Sequence, residues 1–200
     1  MSRPRSWLWP AVAIAVLAAG IGLSACRVAP RETDHAAGFR LVVAEKRAEP
    51  TVSAGSTAER EAVDRLKGFL GNWTVETIQS NTLAVYAPDA WFNDTLKTVR
   101  GATNIQSYFL KTMKNTESIS VQFEDVTRSG DGFYYFRWVM DNRLKSIARG
   151  ETLRTLGITL VRFDAAGRVT VHQDYWDSTA GLFEHVPLLG RGIRAIKARL

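Results

Sequence analysis

The chain has 200 residues but one cysteine, Cys26, and three histidines, His35, His172 and His185. A single thiol excludes an intrachain disulfide, and its place near the N-terminus leaves the rest of the chain without a thiol nucleophile or a cysteine-based metal site. The histidines do not have the spacing of a metal site, so no metal is expected. A glycine-rich phosphate loop and a serine nucleophile elbow are also missing, and no cofactor is implied. Neither an internal repeat nor a low-complexity segment interrupts the pattern. The formal charge of +6 is mild and gives no support to nucleic-acid binding.

What is present, 46% hydrophobic and 23% charged residues, suits one ordinary core. The first stretch stands apart. Arg3 and Arg5 precede an apolar run from Trp7 to Leu23, and small residues lead into Cys26, the layout of a secretory signal over 1–25. Leu23-Ser24-Ala25-Cys26 resembles the lipobox of bacterial lipoproteins, which implies lipidation of Cys26 and a membrane partner. The run is short for a spanning helix and holds Gly20 and Gly22. Arg27 after the cysteine, rather than aspartate, implies by the same resemblance the outer membrane of the cell envelope, facing the periplasm. Removing Arg3 and Arg5 would leave a mature chain nearer neutrality.

Residues 26–55 mix proline, charge and small side chains, and are expected to form a flexible tether. The pair Ser56 and Glu59 then matches a capping box ahead of Val63, Leu66, Phe69 and Leu70. Thr74 is a cap for a second helix carrying Val75, Ile78 and Leu83, with Pro88 at its end. A short strand and turn in "AWFNDTLKTVRG" precede a third helix with Ile105, Tyr108, Phe109 and Met113 on one face. Beyond Asn115 the pattern changes to four strands, separated by turns at Ser129–Gly132 and Ala165–Gly167. Helices first and strands afterwards predict an α+β domain over 56–178. The extension 179–200 ends in a basic amphipathic helix, with Leu189, Ile193, Ile196 and Leu200 on one side. Such a helix suits either an anionic membrane surface or packing on the domain at the mouth of a pocket.

This order of elements resembles the nuclear-transport-factor-2-like superfamily, also called the SnoaL-like or ketosteroid-isomerase-like fold. "VRFDAAGRVTVHQDYWDS" is similar to that family's last hairpin, and "AWFNDTLKTVRGATNIQSYF" to its segment with an acid on a short strand, a glycine and a helix. The resemblance implies a curled antiparallel sheet forming a cone, about three helices packed on it, and an enclosed pocket. It also implies a sheet whose outer face often forms a homodimer. Function does not follow from the fold, which hosts isomerases, cyclases, epoxide hydrolases and binding modules.

Strand alternation places His172, Asp174 and Trp176 on one side of the last strand, and Val171, Gln173, Tyr175 and Asp177 on the other. By resemblance, Trp176 matches a tryptophan lining the steroid pocket of ketosteroid isomerases, and Asp174 the aspartate that orients water in limonene-epoxide hydrolases. Asp94 falls where the isomerases keep their base, and Arg137 resembles the hydrolases' arginine. Neither template is complete. No tyrosine lies between Thr51 and Val85 to act as oxyanion donor, Thr159 stands where the isomerases hold a protonated aspartate, and Val139 replaces the hydrolases' second aspartate.

Asp174, His172 and Asp94 are therefore the catalytic candidates, and Trp176, Arg137, Thr159 and Trp138 the ligand-binding ones. Structural roles compete with these. Asp94 suits a turn, His172 a hydrogen-bond partner of Asp174, Arg137 an ion pair across the sheet, and the aromatic run Phe133–Trp138 a core face. The expected function is binding of a small apolar or amphipathic ligand by a lipid-anchored domain. The alternative is an acid–base enzyme of isomerase, cyclase or epoxide hydrolase type.

Overall fold

The computed structural model describes residues 33–200, so the expected signal segment, Cys26 and the first part of the expected tether lie outside the described residues. The chain divides at Gly38–Phe39 into two units, and the second, Phe39–Leu200, carries the sheet and its helices.

The helices begin where local chemistry starts them. Ser56 caps α2 (Thr57–Gly71), its hydroxyl accepting from the Glu59 amide at 3.0 Å, while the Glu59 carboxylate accepts from the Gly55 amide. Thr74 caps α3 (Val75–Val85) in the same way through the Thr77 amide. The face of α3 that packs inward is Ile78, Thr82 and Val85, whereas Leu83 is exposed. Thr82 can be buried because its hydroxyl donates to the Ile78 carbonyl at 2.6 Å. Gly101 opens α4 (Ala102–Lys114) at a φ of 85°, with Ile105 and Phe109 fully buried.

Six strands follow the order β2-β1-β6-β5-β4-β3. They are β1 (Tyr86–Asn93), β2 (Thr98–Arg100), β3 (Thr116–Arg128), β4 (Phe133–Leu144), β5 (Thr152–Phe163) and β6 (Val169–Trp176). The sheet is curled and unclosed, and it is mixed rather than wholly antiparallel, because β1 pairs with β6 in parallel. Pro88 does not end a helix. It lies inside β1, where the register with β6 shifts between Tyr86 and Trp91 and a missing amide does no harm.

The concave side of the sheet holds the main core with α2, α3 and α4, including Phe69, Tyr86, Phe92, Phe109, Phe136 and Phe163. The convex side is where the sequence reading needs correction. From Asp34 the expected tether is a helix, α1 (Asp34–Arg47), and Phe39, Val42 and Val43 pack against Trp91, Phe133, Leu160 and Val171. Lys46, at 3% exposure, ties α1 down by reaching Asp89 at 2.6 Å and Glu49 at 2.9 Å. Val52 is also buried, so the domain starts well before Ser56. This helix covers part of the outer face expected to serve a dimer, while Tyr135, Leu156, Ile158 and Tyr175 stay exposed.

After β6 come a short α5 (Ser178–Gly181), a 3-10 turn at Phe183–His185, and α6 (Leu189–Lys197). Arg194 and Lys197 of α6 both reach Glu184, and Ile196 and Leu200 remain exposed. No helix among the described residues is long and apolar enough to cross a membrane.

Candidate functional site

Alternation along β3, β4, β5 and β6 aims one set of side chains into the concavity, and α4 closes it from the other side. The result is a cavity of about 380 Å³ with Phe92, Tyr108, Phe123, Trp138, Met140 and Trp176 among its walls. Gly181 and Leu182 line it too, so the start of the C-terminal extension covers part of the mouth. Two of its polar side chains, Thr159 and His172, converge at Asp174.

Asp174 Oδ1 accepts from the Thr159 hydroxyl at 2.5 Å and from His172 Nε2 at 3.1 Å. Trp138 Nε1 donates to Thr159 Oγ1 at 2.8 Å, which fixes the hydroxyl as a donor to the carboxylate. Thr159 therefore spends its one proton inside the protein and is no donor for a ligand. His172, 3% exposed, is assigned as the Nε2–H tautomer because the carboxylate can only accept. Its Nδ1 then accepts from the Tyr86 hydroxyl at 3.0 Å.

Tyr86 is the residue the sequence reading missed. It lies just past the tyrosine-free stretch that ends at Val85, and no part of it is exposed. Burial first, and then the nearby Asp174 charge, pushes its hydroxyl well above the ordinary tyrosine range, so it remains a donor. An aromatic on the first inward position of a strand that follows a capped helix is the signal that points to it. The Tyr86→Phe variant should lose about 1–2 kcal/mol in urea denaturation, because His172 Nδ1 would be buried without a donor. A loss under about 0.5 kcal/mol would show that Nδ1 does not depend on this hydroxyl.

Asp94 is in the cavity lining, but its carboxylate is engaged on both oxygens. Oδ1 accepts from the amides of Leu96 and Lys97 at 3.0 and 2.8 Å, and Oδ2 accepts from the Tyr108 hydroxyl. This is an Asx turn, with Thr95 at a φ of 72°, and it fits the structural role better than that of a free base. Trp176 Nε1 donates to the Asp94 carbonyl at 2.8 Å and links the turn to β6.

Arg137 does not reach the cavity. It follows Phe136 and precedes Trp138, both inward, so alternation turns it outward, where it lies 3.6 Å from Glu124 with its side chain 58% exposed. Of the ligand-binding candidates, Trp176, Trp138 and Thr159 line the cavity and Arg137 is on the opposite face. Trp73 Nε1, Asn142 Oδ1 and Thr155 Oγ1, on lining residues, are buried without a hydrogen-bond partner. The only acidic trio close enough to hold a cation among the described residues is Glu45, Glu49 and Asp89. The Lys46 ammonium already sits among them, 2.6–3.2 Å from each.

Residues 72–172 match the family model described as SnoaL-like domain. No curated protein matches the chain. Several solved structures are similar to it. An NTF2-like protein of unknown function from Burkholderia pseudomallei K96243 has 14% identity, with 66% of this chain and 99% of that one covered at a TM-score of 0.54. An LEH-like epoxide hydrolase of M. tuberculosis has 16% identity, with 74% of this chain and 95% of that one covered at a TM-score of 0.51. A SnoaL-like polyketide cyclase from Jannaschia sp. CCS1, assigned as such provisionally, has 16% identity, covering 64% and 93% at 0.51. At these identities the likeness is one of fold.

Proposed function

Since this chain belongs to the SnoaL-like domain family, we propose that it is a lipid-anchored envelope protein whose domain holds a small apolar or amphipathic ligand in its conical cavity. The observation that carries this reading is the cavity itself. About 380 Å³ is walled largely by aromatic and aliphatic side chains, with a hydrogen-bonded polar cluster at Asp174. The anchoring half rests on the N-terminal sequence, where a lipidated Cys26 would keep such a cavity beside lipid-borne ligands.

One observation favours a second reading, acid–base catalysis by Asp174 and His172. The pair is braced by Tyr86 from behind and Thr159 from the side, the order expected where a carboxylate must be held against a substrate proton. The LEH-like epoxide hydrolase and the polyketide cyclase among the similar structures fit that chemistry.

One experiment serves both readings. Native mass spectrometry of the chain released from its own membranes should show the protein with a small-molecule mass. Incubated afresh with purified protein, that molecule returns unaltered under the binding reading and transformed under the catalytic one. Protein mass alone would overturn the binding reading.

A further inference from the structure

The charges in the cavity are of one sign. Its lining holds two carboxylates, Asp94 and Asp174, and neither lysine nor arginine. Lys97 approaches the ring of Tyr108, 5.6 Å from its centre, but does not belong to the lining. Asp94 is engaged on both carboxylate oxygens, whereas the two hydrogen bonds that reach the Asp174 carboxylate both fall on Oδ1. Among the described residues no hydrogen bond reaches Asp174 Oδ2.

The donors nearby are already used. The Thr159 hydroxyl and the His172 Nε2–H both point at Asp174, so a ligand carboxylate or carbonyl arriving at this end meets acceptors rather than donors. The Thr155 hydroxyl, on a lining residue only 8% exposed, also lacks a partner, as does the acceptor Asn142 Oδ1. The Thr155 hydroxyl and Trp73 Nε1, the donors buried without a partner among these lining residues, are both neutral. Aromatic walls complete the picture, because the faces of Trp138, Trp176 and Phe92 suit a cation as well as an apolar tail.

We propose that the cavity selects a ligand with a cationic head, an organic ammonium on an apolar body, with the ammonium on Asp174 Oδ2. The inference rests on the ligand-binding reading and adds the head group to it. A half-buried carboxylate with one free oxygen gains most from a partner of opposite charge, and a carboxylate ligand would place like charges together in a poorly solvated space.

Three probes that share one rigid apolar cage separate the possibilities: adamantan-1-amine, adamantan-1-ol and adamantane-1-carboxylate. Isothermal titration of the full chain, with the matching protein-free preparation as blank, should rank the amine about tenfold or more tighter than the alcohol, and the carboxylate weakest. In Asp174→Asn the amine should lose its advantage and fall to within about threefold of the alcohol. The wild-type ranking stands even if that variant unfolds. An alcohol or carboxylate that binds as tightly as the amine overturns the cationic inference and leaves the ligand-binding reading standing. So does an amine preference that survives in folded Asp174→Asn. Failure of all three probes to bind overturns the inference together with the reading beneath it.

Discussion

Arg162→Met is expected to lower the unfolding free energy by about 3–5 kcal/mol, with the urea midpoint falling and the slope unchanged. Arg162 is only 2% exposed, yet it pairs with backbone rather than with a carboxylate. Nη1 donates to the Asp131 carbonyl at 2.9 Å, and Nη2 to those of Glu49 and Arg47 at 2.7 and 3.3 Å. One side chain of β5 thereby joins the end of α1, the segment after it and the β3–β4 turn. The Arg47 carbonyl belongs to the last turn of a helix, where acceptors lack intrahelical partners and a cation is favoured. Burial pulls the Arg162 pKa below the usual arginine range, with the charges of Asp131 and Glu49 opposing, and the group stays ionised because arginine starts so high. Methionine loses the guanidinium that lies 5.2 Å over the centre of the Phe133 ring and leaves three carbonyls without a donor. Arg162→Lys should recover only part of the loss, since an ammonium lacks the planar fork that spans three acceptors. A loss below about 1 kcal/mol would mean that water replaces the guanidinium and that α1 docks without it.

That docking is also where sequence and structure part company. Ser56, Glu59 and Thr74 act within four residues of themselves, so helix starts could be read from the chain, and so could the Ser129–Gly132 turn. Alternation on β6 likewise brought His172, Asp174 and Trp176 to one face, and all three line the cavity. The segment 34–52 has its meaning only at long range. Phe39, Val42 and Val43 look like a brief apolar run among charges until Trp91, Phe133 and Val171 offer an outward face that needs covering. Those three lie on different strands, and two of them, Trp91 and Val171, are partners across the parallel β1–β6 pairing, which no local pattern announces. Arg137 is a different kind of error. Its resemblance to a functional arginine was positional, while the parity set by Phe136 and Trp138 already turned it outward. Tyr86 was missed by one residue, and its hydrogen bond to His172 spans 86 positions of sequence.

The cavity wall depends on a glycine in the same non-local way, and Gly157→Ala should cost about 2–4 kcal/mol together with most of the affinity for any ligand. Gly157 on β5 is the pairing partner of both Trp138 on β4 and Trp176 on β6. A Cβ built on it would lie 2.2 Å from Trp138 Cζ2 and 2.3 Å from Cη2. Those atoms belong to a rigid ring rather than to the tip of a flexible chain, so the indole must leave its place. Doing so breaks the Trp138–Thr159 bond and with it the support of the hydroxyl that Asp174 accepts from. The displaced ring has the cavity to move into, where it would compete with a ligand for about 380 Å³. A double-mutant cycle isolates this cause. In a Trp138→Ala background the added methyl of Gly157→Ala meets no ring, so its cost should fall below about 0.5 kcal/mol. If the two losses instead add, the glycine is required for its backbone rather than for the indole above it. The tryptophan would then be an ordinary core residue, with no special part in holding Thr159 and Asp174.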